Sequence, residues 1–211
     1  MLVQGKPKTI GQDVTVREVL ETVVKDRPYY RRSGGGMTLS GGESLCQPDF
    51  CEALLRGAKE AGLTTAMESM ACADYAVIER VLPYLDQYLM DIKHTDPLKH
   101  KEFTGRSNEL MLENARKVAQ SGMTELIIRV PVIPTFNATE AEIEGIAKFA
   151  ASLPGVKKLH LLPYHRLGQD KYEGLGREYE LKDILPPKAE EMEKLLRAAQ
   201  RVSGLDCQIG G

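Results

Sequence analysis

The sequence predicts an α/β protein, built either as an open or partial parallel βα barrel or as a doubly wound sheet. Helical and strand patterns alternate along its 211 residues, which is typical of βαβ units and a parallel sheet. Aromatic residues make up only 6% of the chain and tryptophan is absent, which favours a helix-rich α/β protein over an all-β sandwich. The five strands that the pattern indicates are too few to close an eight-stranded barrel.

The helices are predicted from apolar residues at helical spacing and from capping residues at the starts of the segments. Thr15 and Glu18 form a capping box ahead of the first helix, and Thr139 with Glu142 caps a later one. Pro187 is placed in the first turn of the last helix. The predicted helices cover about residues 16–25, 49–61, 75–82, 108–120 and 139–150, and the segment after residue 187.

The strands are short apolar segments between these helices. Two of them, at residues 125–132 and 158–162, are nearly continuous in apolar residues, as strands buried on both faces are. A polar loop at residues 168–187 follows the last strand and is predicted to fold over the mouth of the sheet. With no linker in view, residues 1–211 form one domain. The predicted strands are Met37–Ser40, Thr64–Met67, Gln87–Ile92, Glu125–Val132 and Lys158–Leu162.

Composition excludes several classes of function. The formal net charge of -2 leaves no basic footprint, so a nucleic-acid partner is not expected. No apolar run has the length of a signal peptide core or a membrane span, which predicts a cytoplasmic protein without a membrane partner.

The cysteines are scattered along the chain, at Cys46, Cys51, Cys72 and Cys207. We expect small buried thiols, with Cys51 in the core, and no metal ligands among them.

Polar residues recur at the ends of the predicted strands, and this recurrence is the main functional signal. The carboxyl ends of parallel strands meet at the mouth of a barrel, so these side chains are expected to share one site. No single member is specific by itself. The residues concerned, together with the two glycines and the isoleucine that stand among them, are Gly41, Gly42, Glu43, Glu68, Ser69, Asp91, Ile92, Lys93, Arg129 and His165.

Each of these residues has a functional and a structural interpretation. Gly41 and Gly42 let a backbone approach a ligand closely, or they make a tight turn between strand and helix. Glu43 accepts hydrogen bonds from a ligand ammonium. Asp91 and Lys93 have the same parity on a strand and either grip a carboxylate or ribose hydroxyl together or form a surface ion pair.

Two further residues have the same ambiguity. Arg129 lies within an apolar strand, where an uncompensated guanidinium is costly, so we expect it to point into a polar lumen. The alternative is a charge that snorkels at the end of the strand. His165 follows the last predicted strand, and a histidine in this position is either functional or a hydrogen-bonded loop residue.

Together these motifs resemble the glycyl-radical enzyme activases, the radical S-adenosylmethionine (SAM) proteins that activate pyruvate formate-lyase and its relatives. The resemblance extends from roughly Val14 to the end of the chain. It implies a partial, open parallel βα barrel of the radical SAM type that is missing its first strand. The segments that carry the resemblance are Ser40–Glu43, Leu89–Lys93, Ile128–Pro134, Leu161–His165, Leu167–Gly168 and Pro186–Lys188.

The resemblance also implies roles for the residues that match the family's motifs. The segment Gly41–Glu43 matches the Gly-Gly-Glu motif that holds the amino group of SAM, and Asp91–Lys93 matches an Asp-x-Lys motif that contacts the cofactor and its carboxylate. Glu68 and Ser69 match an acidic-hydroxyl pair near that carboxylate, in some members beside a monovalent cation. His165 matches a histidine that reaches the nucleoside, and Arg129 matches an arginine that orients the glycine-bearing loop of the substrate protein.

The activity implied by the resemblance is the activation of a glycyl-radical enzyme in anaerobic metabolism. A 4Fe-4S cluster, reduced by flavodoxin or ferredoxin, cleaves SAM to a 5'-deoxyadenosyl radical, which takes a hydrogen atom from a glycine of a pyruvate formate-lyase-like partner. The family binds its cluster with a Cys-x-x-x-Cys-x-x-Cys loop that this sequence does not contain. A second departure is Ala71, which stands where family members usually have glycine.

The missing motif leads to an expectation about the extent of the chain. Residues 1–13 resemble the remnant that follows a ferredoxin-like insertion, so we expect a fragment that lacks the first strand and the cluster loop and is inactive alone. The strand Met37–Ser40 would then be an unpaired edge that favours dimerisation or aggregation. Two alternatives to an activase domain stay open: a non-catalytic module that binds the partner, and an unrelated βα-barrel lyase with Lys93 as a Schiff-base nucleophile.

Overall fold

The structure, a computed structural model, describes residues 11–211 and two short strands that precede them, β1 (Leu2–Val3) and β2 (Lys6–Pro7). These two strands pair antiparallel with each other. The interpretation of residues 1–13 as the remnant of an insertion therefore lies largely outside the described residues.

The main sheet has six parallel strands within the described residues, and they follow one another in chain order. A doubly wound sheet reverses its strand order, so this topology is the open βα barrel and not the alternative. The predicted parallel α/β fold is confirmed, and β8 is an additional strand that the sequence pattern did not indicate. The strands are β3 (Gly36–Leu39), β4 (Thr64–Ser69), β5 (Gln87–Asp91), β6 (Glu125–Val132), β7 (Lys158–Pro163) and β8 (Asp206–Ile209).

The helices agree with the predicted ones in most places. The capping box of the first helix is present, since Thr15 Oγ1 accepts a hydrogen bond from Glu18 N at 3.3 Å. Pro187 lies before the last helix and not in its first turn. Three helices, α2, α5 and α8, were not predicted. The helices are α1 (Val16–Val23), α2 (Arg27–Ser33), α3 (Pro48–Glu60), α4 (Tyr75–Val81), α5 (Pro97–Thr104), α6 (Glu109–Ser121), α7 (Glu140–Ser152), α8 (Gln169–Gly174) and α9 (Ala189–Ser203).

The two faces of the main sheet differ in character because side chains alternate along each strand. One face, here called the helix-packed face, carries fully buried residues such as Met67, Tyr88, Ile128 and Leu159, which join the helices in one hydrophobic core. The other, here called the open face, carries polar and charged side chains, including the register partners Asp91, Arg129 and His160 on β5, β6 and β7. The fold thus presents polar groups on one side of an otherwise apolar sheet.

Two further predictions concern the surroundings of the sheet. In the part of the chain that the structure describes, β3 pairs only with β4, and the dimerisation predicted for this edge stays a prediction. None of the helices in the described residues combines the length and apolar character needed to cross a bilayer.

Candidate functional site

A chain of charged and polar contacts joins the carboxyl ends of β3 to β6 on the open face. Ser40 Oγ donates to Glu68 Oε2 at 2.7 Å, and Arg129 Nη1 lies 2.6 Å from Glu68 Oε1. The same guanidinium reaches Asp91 Oδ1 through Nε at 3.2 Å, and Lys93 Nζ lies 3.5 Å from Asp91 Oδ2. We call these five residues the strand-end network. It brings together Glu68, Asp91, Lys93 and Arg129, as the recurrence at strand ends predicted.

The strand-end network balances two carboxylates against two cations and remains open to a ligand. The Arg129 side chain is only 14% exposed, and its charge is compensated by two carboxylates on the open face. Burial alone would raise the pKa of Glu68, but hydrogen bonds from Ser40 and Arg129 outweigh it and hold that pKa below its usual value. The Glu68, Asp91 and Lys93 side chains are 34%, 24% and 27% exposed, which leaves room for further hydrogen bonds.

The turn after β3 adjoins this network. Gly41 has a φ of +142°, a conformation that favours glycine, and a side chain built on Gly41 or Gly42 would meet no atom within 4 Å. Space is therefore open beside this backbone. The Glu43 carboxylate accepts hydrogen bonds from Leu45 N at 3.1 Å and Met70 N at 3.0 Å, which tie the turn to the end of β4. Each oxygen keeps a lone pair for a ligand ammonium.

Three of the predicted site residues lie neither in the strand-end network nor in the adjoining turn. Ser69 is buried on the helix-packed face, where its Oγ accepts a hydrogen bond from Ala71 N at 2.9 Å. Neighbouring residues of a strand face opposite sides, which separates Ser69 from Glu68. Ile92 is buried and contributes its backbone N, which donates to Arg129 O at 2.8 Å. His165 is exposed, and its Nδ1 accepts a hydrogen bond from Leu167 N at 3.4 Å.

The loop after β4 has a backbone conformation at Ala71 that suits glycine. Ala71 has a φ of +56°, in the left-handed region that glycine adopts without strain. Its carbonyl and that of Ala73 both accept hydrogen bonds from Asn114 Nδ2 at 2.8 Å, which holds the loop in this conformation. Alanine thus adopts a left-handed conformation here, at a cost of about 1 kcal/mol.

The structure also reveals residues near the site that the sequence reasoning missed. Asn137 is fully buried, and its Nδ2 donates to Lys93 O at 2.7 Å. His94 is buried directly after Lys93, and its Nδ1 accepts a hydrogen bond from Asp96 N at 2.9 Å. Asn108 Nδ2 donates to His94 O. Their only signal in the sequence is that they stand in the loops after β5 and β6 or at the start of α6.

Comparison with known proteins connects this site to a family. The sequence profile of the radical SAM superfamily matches residues 5–150, which is more than half of the chain. This chain belongs to the radical SAM superfamily. The family shown is therefore the one that the strand-end motifs had indicated, and its open, parallel βα architecture is the one described above.

Curated proteins that resemble this chain include several activating enzymes. The chain is 40% identical over 199 residues to the indoleacetate decarboxylase activating enzyme of Tractidigestivibacter scatoligenes, covering 94% of this chain and 62% of that protein. It is 45% identical over 177 residues to the isethionate sulfite-lyase activating enzyme of Nitratidesulfovibrio vulgaris, covering 83% of this chain and 57% of that protein. The chain thus spans about six-tenths of the length of these relatives.

A solved structure supports the same relationship. A domain of the pyruvate-formate lyase-activating enzyme from Bacteroides vulgatus superposes with a TM-score of 0.69 and 30% sequence identity. The match covers 84% of this chain and 99% of that domain. The fold described here is therefore also the fold of an experimentally determined domain of an activating enzyme.

The radical SAM superfamily uses SAM and a 4Fe-4S cluster, and the described residues suit these two groups differently. SAM carries an ammonium, a carboxylate and a sulfonium, and the strand-end network offers both signs of charge beside an open glycine turn. For the cluster, no three His, Cys, Asp or Glu side chains in residues 11–211 are grouped so as to hold a metal. We therefore derive no chemical step through a cluster from these residues.

The four cysteines are spread over different environments. Cys51 is buried in the core as predicted, and burial raises the pKa of its thiol to about 11. Cys207 is also buried, whereas Cys72 is half-buried. The expectation of a buried thiol is wrong for Cys46, which is exposed because it ends the short 3-10 turn after Glu43.

Proposed function

We propose that this chain is the SAM-binding part of a glycyl-radical enzyme activating enzyme. The observation that carries the proposal is the strand-end network, in which Arg129 bridges Glu68 and Asp91. Lys93 lies beside Asp91 and adds a second, partly exposed cation. The relatives at 40% and 45% identity support the class of activity, since both are activating enzymes. Once bound and cleaved by one-electron reduction from a 4Fe-4S cluster, SAM would supply hydrogen abstraction from a glycine of the partner enzyme.

Each site residue has a physical task in this proposal. Lys93 binds the SAM carboxylate through its ammonium, because its Nζ is partly exposed and only loosely paired with Asp91. Glu43 binds the SAM ammonium through the lone pairs that Leu45 N and Met70 N leave free. Gly41 and Gly42 allow the ligand to approach the backbone.

The remaining residues act at the edges of this site. His165 is exposed beyond β7, where its imidazole is accessible to the nucleoside. Arg129 holds Glu68 and Asp91 in place, and its proposed role is to orient the glycine-bearing loop of the partner. Glu68 and the backbone of Ile92 then act mainly by fixing Arg129, and Ser69 by fixing the loop after β4.

The partner in this proposal is a glycyl-radical enzyme, and the relatives' names include enzymes that act on indoleacetate and isethionate. An electron donor of the flavodoxin or ferredoxin type belongs to the same proposal. The strand-end network does not identify the glycyl-radical enzyme. The groups that it is proposed to bind, SAM and the backbone of the glycine-bearing loop, are common to this class of reaction.

Calorimetry with SAM tests the proposal on the parent chain, on Asp91→Asn and on a matched control, Glu125→Gln. Glu125 also lies on the open face in an ion pair, 2.8 Å from Lys158, but at the amino ends of the strands. We expect the parent and Glu125→Gln to bind SAM equally and Asp91→Asn to bind it at least about tenfold more weakly. A folded parent chain that does not bind SAM would contradict the proposal.

A further inference from the structure

Asn137 is a fully buried asparagine whose amide joins two loops at the mouth of the sheet. Its Oδ1 accepts a hydrogen bond from Ile133 N at 2.7 Å. Its Nδ2 donates to Pro131 O at 2.9 Å and to Lys93 O at 2.7 Å. Both ends of the side-chain amide are therefore occupied, and the loop after β6 is tied to the loop after β5.

The contact with Lys93 is the one that a purely local role does not need. The bonds to Ile133 and Pro131 close the turn in which Asn137 itself lies, whereas Lys93 is 44 residues away in sequence. Strand β5 ends at Asp91, and the last hydrogen bond to β6 is the one that Ile92 N donates to Arg129 O. The chain therefore leaves the sheet just before Lys93. The Lys93 carbonyl is thus held by Asn137 where the strand pairing stops.

We propose that Asn137 is a positioning residue for Lys93: by holding the Lys93 carbonyl, it directs the Lys93 ammonium toward the carboxylate of SAM. The proposal rests on the SAM site proposed above. Its physical basis is that a buried amide or carbonyl without a hydrogen-bond partner costs free energy. Breaking the bond between Asn137 and the Lys93 carbonyl is therefore unfavourable, and the loop after β5 stays in this position. Lys93 then keeps its Nζ 3.5 Å from Asp91, at the open side of the network.

The first test compares SAM with decarboxylated SAM, which lacks the group that Lys93 binds. Calorimetry on Asn137→Ala is expected to show about tenfold weaker binding of SAM, or about 1.4 kcal/mol, and little change for the decarboxylated analogue. Asn114→Ala is the matched control, because Asn114 is also fully buried and donates to two backbone carbonyls, in the loop after β4. It is expected to affect both ligands equally. An equal loss for both ligands in Asn137→Ala would overturn the proposal.

A second measurement needs no ligand and separates this proposal from the SAM site. Reductive 13C-methylation labels the lysine side chains, and the resonance of Lys93 is the one absent from Lys93→Arg. In the parent it is expected at a shifted position that reflects the ion pair with Asp91, and in Asn137→Ser it is expected to move to the position of exposed lysines. A resonance that stays unmoved in folded Asn137→Ser would refute the positioning role, whereas a parent chain that fails to bind SAM would refute the SAM site alone.

Discussion

Replacing Arg129 with methionine tests whether the strand-end network is held by one guanidinium. The substitution keeps an unbranched side chain but leaves Glu68 and Asp91 without the cation that lies 2.6 Å and 3.2 Å from them. Removing one partner of a fully buried pair costs about 3–5 kcal/mol, and exposed pairs are worth about 0–1 kcal/mol. Because Arg129 is 14% exposed and its partners are about a quarter and a third exposed, we expect a loss of about 2 kcal/mol in the free energy of unfolding.

The pH dependence of this loss carries the sharper test. The folded-state pKa of Glu68 is lowered, so its stabilising contribution is present above the unfolded pKa of about 4.3 and is lost as the pH falls through the lowered value. Arg129→Met removes part of that lowering. Urea unfolding at a series of pH values should therefore show the difference between parent and variant at its largest near neutrality and smaller in acid.

Two companion variants make the result specific to the network. Lys158→Met removes a more exposed ion pair with Glu125 on the same face and is expected to cost less than about 1 kcal/mol. Glu68→Gln and Asp91→Asn, added to Arg129→Met, remove the uncompensated carboxylates and are expected to restore part of the stability. A loss in Arg129→Met that is constant with pH, or no larger than in Lys158→Met, would refute the reasoning.

Two further predictions concern the left-handed alanine and the cysteines. Ala71→Val is expected to lower the free energy of unfolding by about 3 kcal/mol, because a β-branched residue at a φ of +56° in a fully buried position is both strained and overpacked. Ala71→Gly should change the free energy of unfolding by less than about 1 kcal/mol, since relief of backbone strain offsets the lost burial of the methyl group. Urea unfolding that shows similar losses for Ala71→Val and Ala71→Gly would contradict this reasoning. At about pH 8 a thiol reagent should label exposed Cys46 rapidly and Cys51 only on unfolding, because Cys51 is buried and its pKa is raised to about 11; equal labelling rates would contradict the core position of Cys51.

Most of the fold was predictable because its long elements have strong periodic patterns. The sequence indicates the apolar strands β6 and β7 and the capped helices α1 and α7. Helix α5 was missed because its apolar residues form no stripe, and β8 because its four residues, Asp206–Ile209, alternate too briefly to stand out. These elements form through tertiary contacts, which local patterns do not record.

The candidate site was predictable in its location more than in its contacts. The shared parity of Asp91 and Lys93 predicted that the two side chains point the same way, and they form the ion pair that was the structural alternative, at 3.5 Å. The same parity argument places the side chains of Glu68 and Ser69, which are neighbours on β4, on opposite faces of the sheet. The structure shows this arrangement. The contact between Asn137 and Lys93 spans 44 residues and depends on how the loops fold over the strand ends, so one sequence does not reveal it.

Nuclear magnetic resonance on the 15N-labelled chain, titrated with SAM, tests the central claim most directly, because it locates the bound ligand on the sheet. If the strand-end network is the SAM site, the largest amide shifts will lie at Gly41, Gly42 and the residues after β5, at the carboxyl ends of the strands. Amides at the amino ends, such as those of Thr64 and Gln87, will shift little. Shifts concentrated at the amino ends, or no shifts at all in the folded chain, would contradict the account.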